Sequence, residues 1–139
     1  MSVNTMRRIV LASNEHESLA RFVAGLGQNR EVEIIGVGTA AAALDAVQGK
    51  PVHLVVVGEK LADTDPIDCV NRLVRLNPMI NCAMISALAA DDFHEATEGL
   101  GVLMQLPPNP SGDDAAALMA KVEMFSALLD LNTVQGART

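Results

Sequence analysis

At 139 residues the chain has the length of one domain, and half of its residues are hydrophobic, which argues against a disordered chain. A net charge of −7 with no basic stripe argues against binding to a phosphate backbone, so no nucleic acid partner is expected. No apolar run approaches the roughly 20 residues that cross a bilayer, and residues 1–6 are too polar for a signal-peptide core, so the expectation is a cytoplasmic protein without a membrane partner.

Residues 8–12 (RIVLA) read as a short buried strand. Asn14 stands where it could cap the next helix, with Glu17 at the capping-box position. Leu19, Phe22, Val23 and Leu26 follow at helical spacing, and Gly25 and Gly27 are read as the end of that helix. Residues 32–37 (VEIIGV) form a second strand, placed at a sheet edge because it keeps a polar residue. Thr39 caps a helix carrying Ala40, Ala43, Leu44 and Val47, which Gly49 stops. Residues 53–57 (HLVVV) are apolar on both faces and should be central and parallel. Asp65, Pro66 and Asp68 make a helix start, with a cap, a proline at the first position and an acid in the first turn. That helix runs to Leu76, before Asn77 and Pro78.

Residues 80–86 are the fourth strand, Asp92 and Glu95 open a short helix, and residues 102–106 are the fifth strand. Ser111 or Asp113 starts a last helix, in which Leu118, Val122, Phe125 and Leu129 form the stripe that covers the sheet. The division of the chain is therefore a domain over 1–131 and a polar tail or linker over 132–139. Strand and helix alternate five times through short connections. This predicts an α/β, flavodoxin-like, doubly wound parallel sheet of five strands in the order 2-1-3-4-5.

The core must be aliphatic, since the chain has no Trp or Tyr and three Phe. Met79, Met84, Met104, Met119 and Met124 are read as packing residues. Cys69 and Cys82 fit no metal or redox spacing and read as reduced, buried thiols. His16, His53 and His94 are scattered over separate elements, and no metal is expected. The loop after the first strand has neither the glycine nor the run of hydroxyls that would cradle a flavin or nucleotide phosphate, so no cofactor is expected.

Ligands of such a sheet bind beyond the carboxyl ends of its strands. Here those positions are Ser13 and Asn14, Gly58 and Glu59, Ser86 and Ala87, and Leu106 and Pro107. Residues 9–15 (IVLASNE), 51–58 (PVHLVVVG), 65–70 (DPIDCV), 85–87 (ISA) and 106–107 (LP) carry a resemblance at this point. In pattern and spacing the chain from Arg8 to Leu129 resembles the receiver domain of two-component response regulators.

The resemblance implies a phosphorylation pocket and also its loss. The family holds Mg²⁺ on an acid pair after the first strand. It accepts phosphate on an Asp after the third. A Ser or Thr after the fourth strand and a Lys after the fifth, ahead of a cis proline, bind the phosphoryl group. In this chain those places fall on Ser13 and Asn14, Gly58, Ser86, and Leu106, and the family's aromatic switch falls on Leu103. Ser86 and Pro107 keep the family pattern, and Leu106–Pro107 is expected to be cis. The implied function is signalling through protein contacts without phosphorylation and without catalytic turnover, as in a pseudo-receiver.

The family often docks partners over its fourth helix, fifth strand and fifth helix, which correspond here to residues 91–131. Within them Met124, Leu128 and Leu131 fall partly off the core stripe at about 100° per residue and form the expected surface for a protein partner or an identical chain. Two other readings stand beside this one. The domain could sense a small ligand in an emptied, apolar pocket around Gly58, Leu103 and Leu106. It could instead accept phosphate on Glu59, Asp63 or Asp65, although strand alternation directs Glu59 away from the pocket and Asp65 reads as a cap.

Overall fold

The computed structural model describes residues 6–28 and 31–138, with side chains described as far as Phe125. Its strands are β1 (Arg7–Ala12), β2 (Val32–Val37), β3 (Leu54–Val57), β4 (Cys82–Ile85) and β5 (Met104–Leu106). They alternate with α1 (Ala20–Leu26), α2 (Ala40–Gly49), α3 (Pro66–Leu76), α4 (Ala90–Ala96) and α5 (Gly112–Arg138). All ladders are parallel and the order is β2-β1-β3-β4-β5, as the alternation predicts.

The four side chains of β3 are fully buried, because this strand lies between β1 and β4 and is covered on both faces. Period-two alternation sorts the strands into two layers. Ile9, Leu11, Leu54 and Val56 pack with Phe22, Leu26, Leu118 and Met119 of α1 and α5. Val10, Ala12, Val55 and Val57 pack with Ala40 and Ala43 of α2, Val70 and Leu73 of α3, and Phe93 of α4. Each fully buried Val, Leu, Ile, Phe or Met side chain among them contributes about 1.5–3 kcal/mol.

Local chemistry sets several helix starts. Thr39 Oγ1 accepts the Ala42 N–H (3.0 Å) at α2, and Asp65 Oδ1 accepts the Asp68 N–H (2.9 Å) at α3. At α5, Ser111 and Asp114 form a reciprocal capping box: the Asp114 N–H donates to Ser111 Oγ, and the Ser111 N–H donates to Asp114 Oδ2.

Other expectations are corrected. Asn14 caps nothing: a 3-10 turn, Glu17–Leu19, precedes α1, and its cap position is His16, without a side-chain bond. Gly25 lies inside α1, where α5 crosses it, and only Gly27 ends the helix. The start of α4 is Ala90, with Ala89 as its uncapped N-cap, so Asp92 follows the start.

On α5 the core face is Ala115, Leu118, Met119 and Val122, at i, i+3, i+4 and i+7. Phe125, expected on the same stripe, is 45 % exposed and stands outside the core cluster; Leu129 lies outside the described side chains. Met84 and Met119 are buried, whereas Met79 and Met124 are exposed. The backbone of α5 continues to Arg138, so the stretch read as a polar tail extends the helix.

Candidate functional site

The carboxyl ends of β1 and β3 meet closely. The Gly58 N–H donates to Ala12 O (2.8 Å) and the Asn14 N–H donates to Lys60 O (2.7 Å), so the parallel ladder continues past the last strand residues. Ser13 is buried at 3 % exposure, and its Oγ accepts the Glu15 N–H (3.0 Å), which folds the following loop back on itself. A Cβ atom on Gly58 would lie 2.7 Å from Ser13 Cβ and 2.7 Å from Ser13 Oγ. Glycine is thus what allows this approach.

The acidic loop after β3 is tied down. Asp63 Oδ1 accepts the Ala40 N–H (2.8 Å) and Asp63 Oδ2 accepts the Ala41 N–H (3.1 Å), so this carboxylate caps α2 from another loop. These backbone bonds, the Ala40 bond foremost, hold the Asp63 carboxyl below its ordinary pKa. The Ala62 N–H donates to Gly38 O (3.0 Å) beside it. With Asp65 capping α3, two of the three acids weighed as residual acceptors are engaged as caps.

Several clefts open at this end of the sheet, and Glu59 lines two of them. A polar one of about 370 Å³ is lined by Ser13, Glu15, Gly58, Glu59, Lys60 and Asn109 among others. A more apolar one of about 490 Å³ lies over β4, between the start of α3 and α4. Glu59 lines both, contrary to the alternation argument, because β3 ends at Val57 and strand geometry no longer aims the side chain.

Of the five expected pocket residues, Ser13 and Gly58 share the polar cleft, while Ser86 lines the apolar one. Ser86 Oγ accepts the Leu88 N–H (3.1 Å), a strand-end hydroxyl bonded to backbone. Asn14 is exposed and lines neither cleft. Leu106 is fully buried in the α1–α5 layer, and Leu103 packs against the same layer. An apolar pocket around Gly58, Leu103 and Leu106 is therefore not formed; the leucines fill the core instead. Leu106–Pro107 is trans, and the turn before α5 is made by Asn109, in the left-handed region at φ 52°.

Gln105, which no local sequence pattern marks, joins two elements here. Its Nε2 donates to Ser86 O (3.3 Å) and to Leu88 O (2.9 Å), clamping the β4–α4 loop to β5. Among the described residues no group of three or more His, Cys, Asp or Glu is placed to hold a metal ion. No helix among them is long and apolar enough to cross a membrane.

No protein-family model and no curated protein matches the chain. Solved structures do. A CheY-like response regulator receiver domain protein from Methanospirillum hungatei JF-1 superposes with a TM-score of 0.71 at 18 % identity, over 86 % of this chain and 96 % of that one. The signal receiver domain of an HD domain-containing protein from Pseudomonas fluorescens Pf-5 gives 0.76 at 16 % identity, over 94 % and 96 %. The chemotaxis response regulator CheY4 of Vibrio cholerae gives 0.70 at 13 % identity, over 85 % and 99 %. The fold is that of a response-regulator receiver domain. At these identities the likeness establishes the receiver fold, and what the carboxyl end of its sheet does rests on its own residues.

Proposed function

We infer that this domain is a receiver-fold signalling module that works without aspartyl phosphorylation or catalytic turnover, by presenting a protein-binding surface. The carrying observation is the contact between Gly58 and Ser13. Gly58 directly follows the central strand, at the place that corresponds to the phosphoacceptor of the receiver family, and a Cβ there would meet Ser13 at 2.7 Å. Ser13 and Asn14 supply no carboxylate for a cation, and the fully buried Leu106 supplies no positive charge.

The surface we assign to the partner is α5 beyond its core face. Met124 is 59 % exposed, next to the exposed Phe125, and both follow Val122, the last described residue of the buried stripe. Leu128 and Leu131, expected on the same surface, lie outside the described side chains. The partner is another protein or a second copy of this chain.

Acetyl phosphate with Mg²⁺ should leave the mass of the protein unchanged, and Met124→Glu should weaken its association, in solution or on a partner, with the fold intact. A phosphoryl group mapped to Glu59 would overturn the first part of this reading. Association unaltered in a folded Met124→Glu protein would overturn the second.

A further inference from the structure

The apolar cleft over β4 shares Glu59 and Ile85 with the polar cleft, but Ser13 and Gly58 do not line it. Its volume, about 490 Å³, falls in the range of small-molecule sites, about 300–1,000 Å³. Met84, Ile85 and Phe93 line it from within, and Ile67 and Leu88 stand on it 37 % and 47 % exposed. Leaving such side chains around a concavity in water is unfavourable, and an apolar body that covers them gains what their hydration costs.

The charge around the cleft has one sign. Its ionisable lining groups are two carboxylates, Glu59 and Asp65, and no Lys, Arg or His lines it. Asp65 gives one oxygen to the cap of α3. The Glu59 carboxylate has no hydrogen bond or ion pair among the described residues. The hydroxyls are committed elsewhere: Thr97 Oγ1 donates to Phe93 O (2.9 Å), and Ser86 Oγ accepts from the backbone of its own loop. The cleft thus offers apolar contact and negative charge, with no cation to receive an anion.

We propose that this cleft binds a small organic cation with an apolar body, of the aryl- or alkylammonium class. The body lies against Phe93 and Met84 and the ammonium at the Glu59 side. Such a ligand touches the β4–α4 loop at Ser86 and Leu88, whose carbonyls Gln105 holds to β5. Occupancy is therefore felt at β5. The site uses neither Ser13 nor Gly58 and rests on the phosphorylation-independent reading only in needing a free Glu59 carboxylate.

The test is a titration of the full ¹⁵N-labelled chain with benzyltrimethylammonium, 2-phenylethanol and 3-phenylpropionate, followed by amide shifts. The ammonium should give saturable shifts at Ile85, Ser86, Phe93, Thr97 and Gln105. Its affinity should exceed that of the neutral alcohol by about threefold, the worth of an exposed ion pair, and Glu59→Gln should remove that advantage. The carboxylate should not saturate. Ala96→Trp, which fills the cleft, should abolish binding; if that variant does not fold, Leu88→Lys, on an exposed loop, should do the same. Absence of saturable shifts, equal affinity for all three probes, or binding that survives a folded cleft variant would overturn the proposal.

Discussion

Gly58 and Ser13 are packed so closely that a single added carbon on Gly58 would meet Ser13 Cβ and Oγ at 2.7 Å. That distance is below any ordinary non-bonded contact, and the atoms met belong to a buried residue whose hydroxyl already holds the Glu15 N–H. Restoring an acceptor therefore requires the end of β1 to move. Gly58→Ala and Gly58→Asp should each lower stability by about 1–3 kcal/mol in urea titrations. Gly58→Asp should still take no phosphoryl group from acetyl phosphate, because no acid pair and no lysine accompanies it. A stable Gly58→Asp protein that gains phosphoryl mass would refute this.

A second prediction concerns the close approach of α1 and α5. A Cβ on Gly25 would lie 2.7 Å from Gly112 Cα and from Gly112 O, and 2.9 Å from Ala115 Cβ. Backbone atoms cannot rotate away, so Gly25→Ala should destabilise by about 1–3 kcal/mol, the cost of overpacking. Gly49, the last residue of α2, has nothing within 4 Å of such a carbon. Gly49→Ala should be neutral or stabilising by up to about 1 kcal/mol. Equal midpoints for the two variants would contradict the packing argument.

Acid should act on His53. Its Nδ1 accepts the Arg8 N–H (2.9 Å), which needs a neutral ring. Burial, and then the charge of Arg7, hold its pKa below the ordinary 6.5. A folded pKa below the unfolded one means that the unfolded chain binds the proton more tightly. The contribution is therefore complete above about pH 6.5 and is lost as pH falls through the lowered folded pKa. The urea midpoint should drop between pH 7.5 and pH 5, and His53→Gln should flatten that drop. An unchanged slope in a folded His53→Gln protein would show that other groups cause it.

The thiols should be inert in the folded protein. Burial raises Cys69 to about 11, helped by the charges of Asp63 and Asp68, and burial raises Cys82 to about 12. The thiolate is the reactive form, so neither should react with a disulfide reagent at pH 8 until the chain unfolds. Two thiols should be released together across the urea transition. Fast reaction of either under native conditions would place it at the surface.

What could be read in the chain and what could not divide by range. The sheet order followed from alternation and from a third strand apolar on both faces, and the Thr39 and Asp65 caps are written within four residues of the groups they bond. The Asp63 cap of α2 spans 22 and 23 positions, and no local pattern announces it. Gln105 looked like an ordinary strand residue, and its role depends on where the β4–α4 loop lies. Leu106 was expected in an emptied pocket because family spacing puts a lysine there. A leucine gains by entering the core, so the position kept its place on the strand and lost its exposure. Phe125 fits the periodic stripe, but periodicity does not say how far along a helix its apolar face stays covered.

The contact between α1 and α5 has a mechanical consequence. Where Gly25 meets Gly112 no side chain lies between the two backbones, so there is no cushion over which one helix can slide on the other. Across the sheet, α2, α3 and α4 meet the strands through side chains such as Val70, Leu73 and Phe93. The end of α1 and the start of α5 are instead joined backbone to backbone. A force applied to α5 is therefore passed to α1 as well.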